Sequence, residues 1–121
     1  SFIKIARENT TNKPIGFCLT FPDFNQILMK TKGRIRPIRM ILEKRNITKA
    51  RGTMQYIVPE YQNTGLIAHI FNSLFDEFDK QGITDFEAGT MMENNPKPIN
   101  AFKKFGGEII KTYRIYGKEL K

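Results

Sequence analysis

The sequence predicts an α/β protein, more narrowly an α+β fold in which helices pack on a mixed sheet. Three observations support this prediction. β-Favouring runs recur along the chain and are separated by polar turns that contain proline or glycine. A long segment, residues 65–80, has apolar residues at steps of three and four, as an amphipathic helix does. Strand-like and helix-like runs then alternate to the end of the chain, which is typical of helices layered on a sheet.

The first elements are two strands and two helices. Residues 2–7 and 15–21 alternate like strands, and the polar turn between them predicts a β-hairpin. Asp23 can cap a short helix that runs to residue 29, and Gly33 ends it. Residues 34–50 have helically spaced apolar residues among many charges, so we expect a basic amphipathic helix there.

The second half begins with the third strand, residues 51–58, and the long helix, residues 65–80. Gly82 suits the left-handed position that closes such a helix. Residues 83–91 are rich in Ile, Thr and Phe and predict a strand. Pro98 suits the first turn of a helix to residue 105, and residues 108–116 are expected to form the last strand.

Length and composition limit the protein class. A chain of 121 residues, 40% of them hydrophobic, suits one domain with a single core, so we expect residues 1–121 to form one domain. No apolar run approaches a membrane span, and we expect no membrane partner. Cys18 has no partner for an internal disulfide, and the chain lacks a signal-peptide pattern. These features indicate an intracellular, cytoplasmic protein.

The net charge of +8 lies almost entirely in the first half of the chain. Residues 1–52 hold twelve Lys or Arg and three Asp or Glu, whereas residues 53–121 hold eight and nine. Three explanations fit: a solvated basic face, attraction for an anionic cofactor or acidic substrate, and a nucleic-acid interface. The last is the least favoured, because no zinc-finger spacing or RNA-recognition signature accompanies the charge. His69, the single histidine, has no neighbours at metal-ligand spacing, so we expect no metal site.

The most informative stretch joins the third strand to the long helix. A β-favouring run meets Pro59, a turn follows, and the turn opens directly into the helix at Gly65. The first turn of a helix leaves backbone N–H groups unpaired, and the helix dipole is positive there. Both features suit a phosphate or pyrophosphate, so the turn predicts a site for a phosphorylated cofactor.

Residues 15–121 resemble the C-terminal two-thirds of acyl-CoA N-acyltransferases of the GNAT superfamily. Gln62-Asn63-Thr64-Gly65 fits the signature of that superfamily, which is Gln or Arg, two residues and then Gly. Downstream, Asn95 begins a helix whose end reads Phe102-Lys103-Lys104-Phe105-Gly106, similar to the asparagine-to-aromatic-to-glycine stretch of the superfamily. Residues 111–116 and the long insert before the third strand look closest to a poorly characterised bacterial branch.

The resemblance implies a mostly antiparallel sheet and an acetyl-CoA site. The pyrophosphate would lie on amides after Gln62, and the pantetheine arm would pair with the backbone of the third strand. Asn95 and Phe102 would contribute to cofactor binding from the second matching stretch. The remaining cofactor-binding residues implied in this way are Ile57, Val58, Asn63, Thr64, Gly65, Leu66 and Ile67.

The reaction implied is direct transfer of an acetyl or other acyl group to a small amine or an amino-acid-like acceptor. Glu60, near the cofactor turn, is the candidate general base, and Glu87 and Glu93 are second candidates for an acidic amine pocket. Two residues depart from the superfamily. Ile67 replaces the usual Gly or Ala, and Phe102 replaces a tyrosine that protonates the thiolate. A catalytically degenerate ligand-binding or partner-binding domain is therefore the alternative, followed by a nucleic-acid-binding module.

The superfamily fold normally starts with a strand and one or two helices that precede the part matched here. We therefore expect this chain to be the C-terminal part of a longer protein, with those N-terminal elements missing. An acceptor pocket without that wall would be open, with apolar residues exposed where the missing elements dock. Docking of the missing segment, or self-association into a homodimer, would cover such a surface.

Overall fold

The computed structural model describes residues 2–119, which divide into two compact units with the boundary between Gly89 and Thr90. The first unit holds a sheet of four strands in the order β1-β2-β3-β4. These strands are β1 (Ile3–Arg7), β2 (Pro14–Pro22), β3 (Lys49–Ile57) and β4 (Asp85–Ala88). β1 and β3 are both antiparallel to β2, whereas β4 is parallel to β3. The predicted mixed, mostly antiparallel sheet with flanking helices is confirmed.

The predicted hairpin is formed by β1 and β2. Its turn is closed by the amide of Glu8, which donates to the carbonyl of Lys13 at 2.9 Å, and Asn12 takes a left-handed φ of 57°. The register between β2 and β3 shifts between Leu19 and Thr20, so Thr53 of β3 has no opposite residue. An irregularity of this kind bends and twists a strand locally.

The helix α3 (Leu66–Gln81) provides most of the core. Four apolar side chains on one face of α3 are buried: Ile70, Phe71, Leu74 and Phe78. Phe86 of β4 packs among the rings of this helix, with its centroid 5.4 Å from that of Phe78 and 6.5 Å from that of Phe71. Gly82 closes α3 in the left-handed conformation, and the amide of Ile83 donates to the carbonyl of Phe78 at 2.9 Å. The prediction of this helix was correct to within one residue.

Two short helices, α1 (Asn25–Lys30) and α2 (Pro37–Glu43), occupy the long connection from β2 to β3. The predicted helix over residues 34–50 is wrong in extent. α2 has only seven residues, a 3₁₀ turn covers Lys44–Asn46, and β3 already begins at Lys49. The Gln26 side-chain oxygen accepts hydrogen bonds from the amides of Thr48 and Lys49 at 3.2 and 3.0 Å. These contacts hold the backbone extended where the sequence pattern alone predicted helix.

The second unit contains α4 (Pro96–Lys104), which starts after Asn95 as expected. The chain leaves this helix at Gly106, which has a left-handed φ of 78°. The predicted last strand is wrong, because residues 107–119 form neither helix nor strand. A strand needs a partner that satisfies its amides and carbonyls, and no described strand pairs with this segment. Its apolar side chains are accordingly exposed, with Ile115 at 97%.

Candidate active site

The site is built on the turn between β3 and α3. β3 ends at Ile57, a 3₁₀ turn covers Pro59–Tyr61, and α3 begins immediately after Gly65. Gly65 has a φ of 83° and Asn63 a φ of 65°, so the chain passes twice through the left-handed region within three residues. Only glycine enters that region without strain, which explains why Gly65 stands at the start of the helix. A Cβ atom added at Gly65 would meet nothing within 4 Å, so the space in front of it is open.

This turn leaves a run of amides without acceptors. Within residues 2–119, the backbone N–H groups of five successive residues donate to no protein atom: Asn63, Thr64, Gly65, Leu66 and Ile67. The first internal bonds of the helix come from Ala68 and His69, whose amides both donate to the carbonyl of Gly65. Five available amides at the positive end of a sixteen-residue helix form the kind of environment that binds phosphate groups.

Side chains fix the conformation of the turn. Gln62 Nε2 donates to the carbonyl of Ile57 at 3.1 Å, and Thr64 Oγ1 donates to the carbonyl of Tyr61 at 2.7 Å. Gln62 therefore connects the turn to the end of β3 and leaves the amides that follow it available for a ligand. The role of Gln62 in binding a cofactor stays a prediction.

A second contact ties the turn to the β1–β2 hairpin. The hydroxyl of Tyr61 donates a hydrogen bond to Glu8, and Thr11 donates another to the same carboxylate. The bond from Thr11, followed by that from Tyr61, lowers the pKa of Glu8. Because its hydroxyl proton is held by the carboxylate, the pKa of Tyr61 is raised. No sequence pattern indicated this pair, since the two residues lie far apart in the chain.

β3 and β4 separate five residues before the end of β3. Their parallel pairing ends at Gly52 and Ala88, and the amide of Gly89 donates to the carbonyl of Gly52 at 2.6 Å. Beyond Gly52, β3 continues to Ile57 with no neighbour on that side among the described strands. The two strands therefore separate after Gly52.

The register of β3 shows which backbone groups face the gap. The amide of Val58 donates to the carbonyl of Ile15 in β2 at 3.0 Å. The carbonyl of Val58 accepts from the amide of Tyr61. In an antiparallel pair, alternate residues direct both backbone groups to the same side. The N–H and C=O groups of Gln55 and Ile57 consequently face away from β2. Gln55 was missed in the sequence, although its position two residues before Ile57 on a strand would have indicated it.

The candidate carboxylates lie at different ends of this gap. Glu60 is exposed in the 3₁₀ turn, beside the amide run. Glu87 lies on β4 next to the point of separation, where its Oε1 is 3.3 Å from Nη2 of Arg51. Gly52 and Ile57 are five residues apart, about 17 Å along an extended strand, so Glu60 and Glu87 lie at opposite ends of the gap.

Asn95, Phe102 and Glu93 belong to the second compact unit. Asn95 is the residue before α4 and makes no side-chain capping bond, and Glu93 is exposed. Phe102 is half-buried on α4, and its carbonyl accepts from the amides of Phe105 and Gly107. The cofactor roles of Asn95 and Phe102 stay predictions.

The face of the sheet opposite α3 is apolar and open. Ile5 and Phe17 are cross-strand partners, as are Phe17 and Tyr56, so the three side chains lie together on this face. Ile5 and Tyr56 are each more than half exposed. A groove of about 410 Å³ runs over them, lined by Ile5, Pro14, Ile15, Gly16, Phe17, Leu19, Tyr56 and Val58. An open apolar surface of this kind was expected; what covers it stays a prediction.

Comparison of the whole chain with solved structures identifies the architecture. An aminoglycoside 6′-N-acetyltransferase from Acinetobacter haemolyticus superimposes with a TM-score of 0.63 and 9% identity, over 100% of this chain and 73% of that enzyme. The fold is that of the GNAT N-acetyltransferases.

Two further GNAT structures agree. A ribosomal-protein-alanine N-acetyltransferase from Brucella melitensis gives a TM-score of 0.59 and 8% identity, over 97% of this chain and 72% of that one. An aminoglycoside N-acetyltransferase solved with the bisubstrate analogue CoA-S-monomethyl-acetylneamine gives a TM-score of 0.62 and 14% identity. The match covers 98% of this chain and 69% of that enzyme. At such identities the likeness establishes the fold alone. No family model matches the sequence, and no curated protein matches it significantly.

Proposed function

We propose that the protein is an acyl-CoA-dependent N-acyltransferase that transfers an acetyl group from acetyl-CoA to a small amine or an amino-acid-like acceptor. The observation that carries the proposal is the run of five amides without acceptors, residues 63–67, at the start of α3 in a GNAT fold. Solved GNAT enzymes of this fold include one in complex with CoA and one with a CoA-containing bisubstrate analogue.

In this proposal the diphosphate of the cofactor lies on the amides of residues 63–67. Gly65 permits close approach, because no side chain projects into the open space in front of it. The amide-bearing pantetheine arm then runs along β3 and pairs with both outward backbone groups of Gln55 and with the amide of Ile57, whose carbonyl already accepts from Gln62 Nε2. Val58 contributes through its side chain, because both of its backbone groups are already bonded. Asn95 and Phe102 are further candidates for cofactor binding, and they rest on the sequence resemblance alone.

The reaction is a direct transfer. The lone pair of a neutral amine attacks the thioester carbonyl carbon, the carbon–sulfur bond breaks, and the electron pair leaves with the sulfur as coenzyme A thiolate. The amine nitrogen loses one proton to a base, and the thiolate finally takes up one proton. Phe102 has no proton to give, so the thiolate leaves unassisted or is protonated by water.

The base must lie within hydrogen-bond reach of the amine, directly or through one water. Glu60 lies at the diphosphate end of the gap, whereas Glu87 lies where β3 and β4 separate, at the end proposed for the thioester. We therefore expect Glu87→Gln to lower kcat and alter its pH profile, and Glu60→Gln to act mainly on KM. If only Glu60→Gln lowered kcat, Glu60 rather than Glu87 would be the general base.

Calorimetry with coenzyme A and a matched pair of variants tests the proposal. Gly65 and Gly82 both have a left-handed φ, and a Cβ atom at either would meet nothing within 4 Å. Gly65→Glu and Gly82→Glu therefore carry a similar backbone strain. Only the carboxylate at position 65 would face the diphosphate. We expect Gly65→Glu to raise the Kd for coenzyme A at least about tenfold and Gly82→Glu to leave it unchanged. Equal affinities in both variants would contradict the site.

A catalytically degenerate GNAT-like domain is the second candidate, favoured by Ile67 and Phe102. Such a domain would bind coenzyme A in the same experiment but release no free thiol from acetyl-CoA with any amine of a broad panel. Turnover with any amine would dismiss this candidate.

A further inference from the structure

Residues 30–45, here called the basic segment, are unusually charged. They contain seven Lys or Arg and a single acidic residue, Glu43. Glu43 is occupied by two of these cations, since its Oε2 lies 2.9 Å from Lys30 Nζ and its Oε1 lies 4.0 Å from Arg39 Nε. All seven basic residues are exposed. The segment therefore presents a strong positive charge to the surroundings.

The helix within the basic segment, α2, turns its apolar side outward. Ile38, Ile41 and Leu42 stand at positions i, i+3 and i+4, so they share one face, and each is 70–77% exposed. Met40 and Glu43, on the other side of the helix, are half-buried. A surface helix normally buries its apolar face and exposes its charges. α2 does the reverse, and Ile35 just before it is also 76% exposed.

We propose that the basic segment binds an anionic lipid surface. An apolar helix face bordered by Lys and Arg is the arrangement by which peripheral helices enter the headgroup region of a bilayer. The aliphatic side chains of α2 enter the interface, and the surrounding cations meet acidic headgroups. This contact lies outside the acyl-transfer site and does not depend on the proposed function.

Charge and composition favour lipid over other occupants. A second copy of the chain would bring the same positive charge and be repelled. Residues 30–51 contain no aromatic side chain, whereas single-stranded nucleic acid is held by aromatic stacking and protein interfaces favour Tyr, Trp and Phe. A fluid bilayer accepts exposed Ile and Leu without a matching pocket. The sequence suggested no membrane partner because no span is present. Among the described residues no helix could cross a bilayer, but a surface contact needs none.

Vesicle sedimentation of the full chain tests the proposal. Wild type should sediment with phosphatidylcholine vesicles that contain about one third phosphatidylglycerol, and not with phosphatidylcholine alone, at about 0.15 M salt. The triple variant Ile38→Ser, Ile41→Ser, Leu42→Ser should bind at least about tenfold more weakly. The double variant Arg34→Gln, Arg36→Gln should bind the anionic vesicles more weakly than wild type, and its binding should depend less on salt concentration. Ile109→Ser with Ile110→Ser, at 69% and 67% exposure, should change nothing.

A spectroscopic readout distinguishes insertion from mere charge attraction. The chain has no tryptophan, so Ile41→Trp introduces a single indole on the outward face of α2. Its emission should shift to the blue with the anionic vesicles, and emission from the control Ile115→Trp should not. Absence of wild-type sedimentation, equal binding by the triple Ser variant, or an unshifted Ile41→Trp spectrum would overturn the proposal. Tighter binding to an oligonucleotide than to the vesicles would also overturn it.

Discussion

Replacement of Gly52 by alanine tests the close approach of β3 to the Phe86 ring, just before the two strands separate. A Cβ atom at position 52 would lie 2.8 Å from Cζ and 3.1 Å from Cε2 of Phe86. Real carbon–carbon contacts are near 3.5 Å or longer, so the ring must move. Phe86 has little room, because its centroid lies 5.4 Å from that of Phe78 and 6.3 Å from that of Phe75.

Two opposing effects set the expected magnitude. Forcing an extra carbon into a packed core costs about 1–3 kcal/mol. Replacing glycine by alanine also restricts the unfolded chain, which returns about 0.4–1 kcal/mol of stability. We therefore expect Gly52→Ala to lower the free energy of unfolding by about 1–2 kcal/mol. For a chain of this size the melting temperature should fall by about 3–8 °C.

Urea titration monitored by circular dichroism would measure this loss. Gly117→Ala is the control, because a Cβ atom there meets nothing within 4 Å and no left-handed φ is involved, so its stability should stay within about 0.5 kcal/mol of wild type. In a Phe86→Leu background the alanine should cost less, since the atoms that it strikes are gone. A Gly52→Ala protein as stable as wild type, or the same cost in both backgrounds, would refute the close approach.

Three further predictions concern the core and two titrating groups. Phe71→Ala removes a side chain with 0% exposure and should cost about 3–5 kcal/mol in urea titrations, far more than Phe105→Ala at 39% exposure. Burial raises the pKa of Cys18 from 9.0 to about 11. The unfolded chain therefore ionises first, so wild type should lose stability as the pH rises from about 9 to about 11, and a Cys18→Ala protein that loses as much would contradict this. The pKa of Glu8 is lowered chiefly by Thr11 and then by Tyr61, so its contribution to stability is lost as the pH falls through the folded value. In an NMR titration Thr11→Ala should raise that pKa more than Tyr61→Phe, and the opposite order would count against the assignment.

The parts of the fold that the sequence predicted well are those with strong local signals. The long helix was predicted at residues 65–80 and observed at Leu66–Gln81, because its apolar stripe covers many turns and Gly82 closes it. The hairpin followed from two alternating runs and a polar turn. In each case the pattern and the turn chemistry indicate the same structure, which is why the prediction needed no tertiary information.

The errors occurred where tertiary contacts decide the structure. Residues 47–50 were included in the predicted helix, but the Gln26 side chain and the amide of Asp23, which donates to the carbonyl of Lys49 at 2.8 Å, hold this stretch extended. Residues 108–116 alternate like a strand, yet alternation does not supply a partner strand. The fourth strand was predicted over residues 83–91 and covers only Asp85–Ala88, because β3 and β4 separate there.

The candidate site was predictable in part. Pro59, Gly65 and the helix after them indicated the amide run from local chemistry alone. The outward backbone groups of Gln55 and the bonded state of Val58 depend on the register with β2, which a single sequence does not specify. The contact between Glu8 and Tyr61 likewise joins residues that are distant in the chain.

The bare edge of β3 also affects how the protein behaves in concentrated solution. Unpaired amides and carbonyls along a strand edge act as a template for strands of other molecules, which is a common start of aggregation. β4 is only four residues long, and no other described strand pairs with the last part of β3 on that side, where Met54 and Tyr56 are also exposed. A ligand lying along this edge would compete with a neighbouring chain for the same groups. Coenzyme A added during purification should therefore increase the soluble yield.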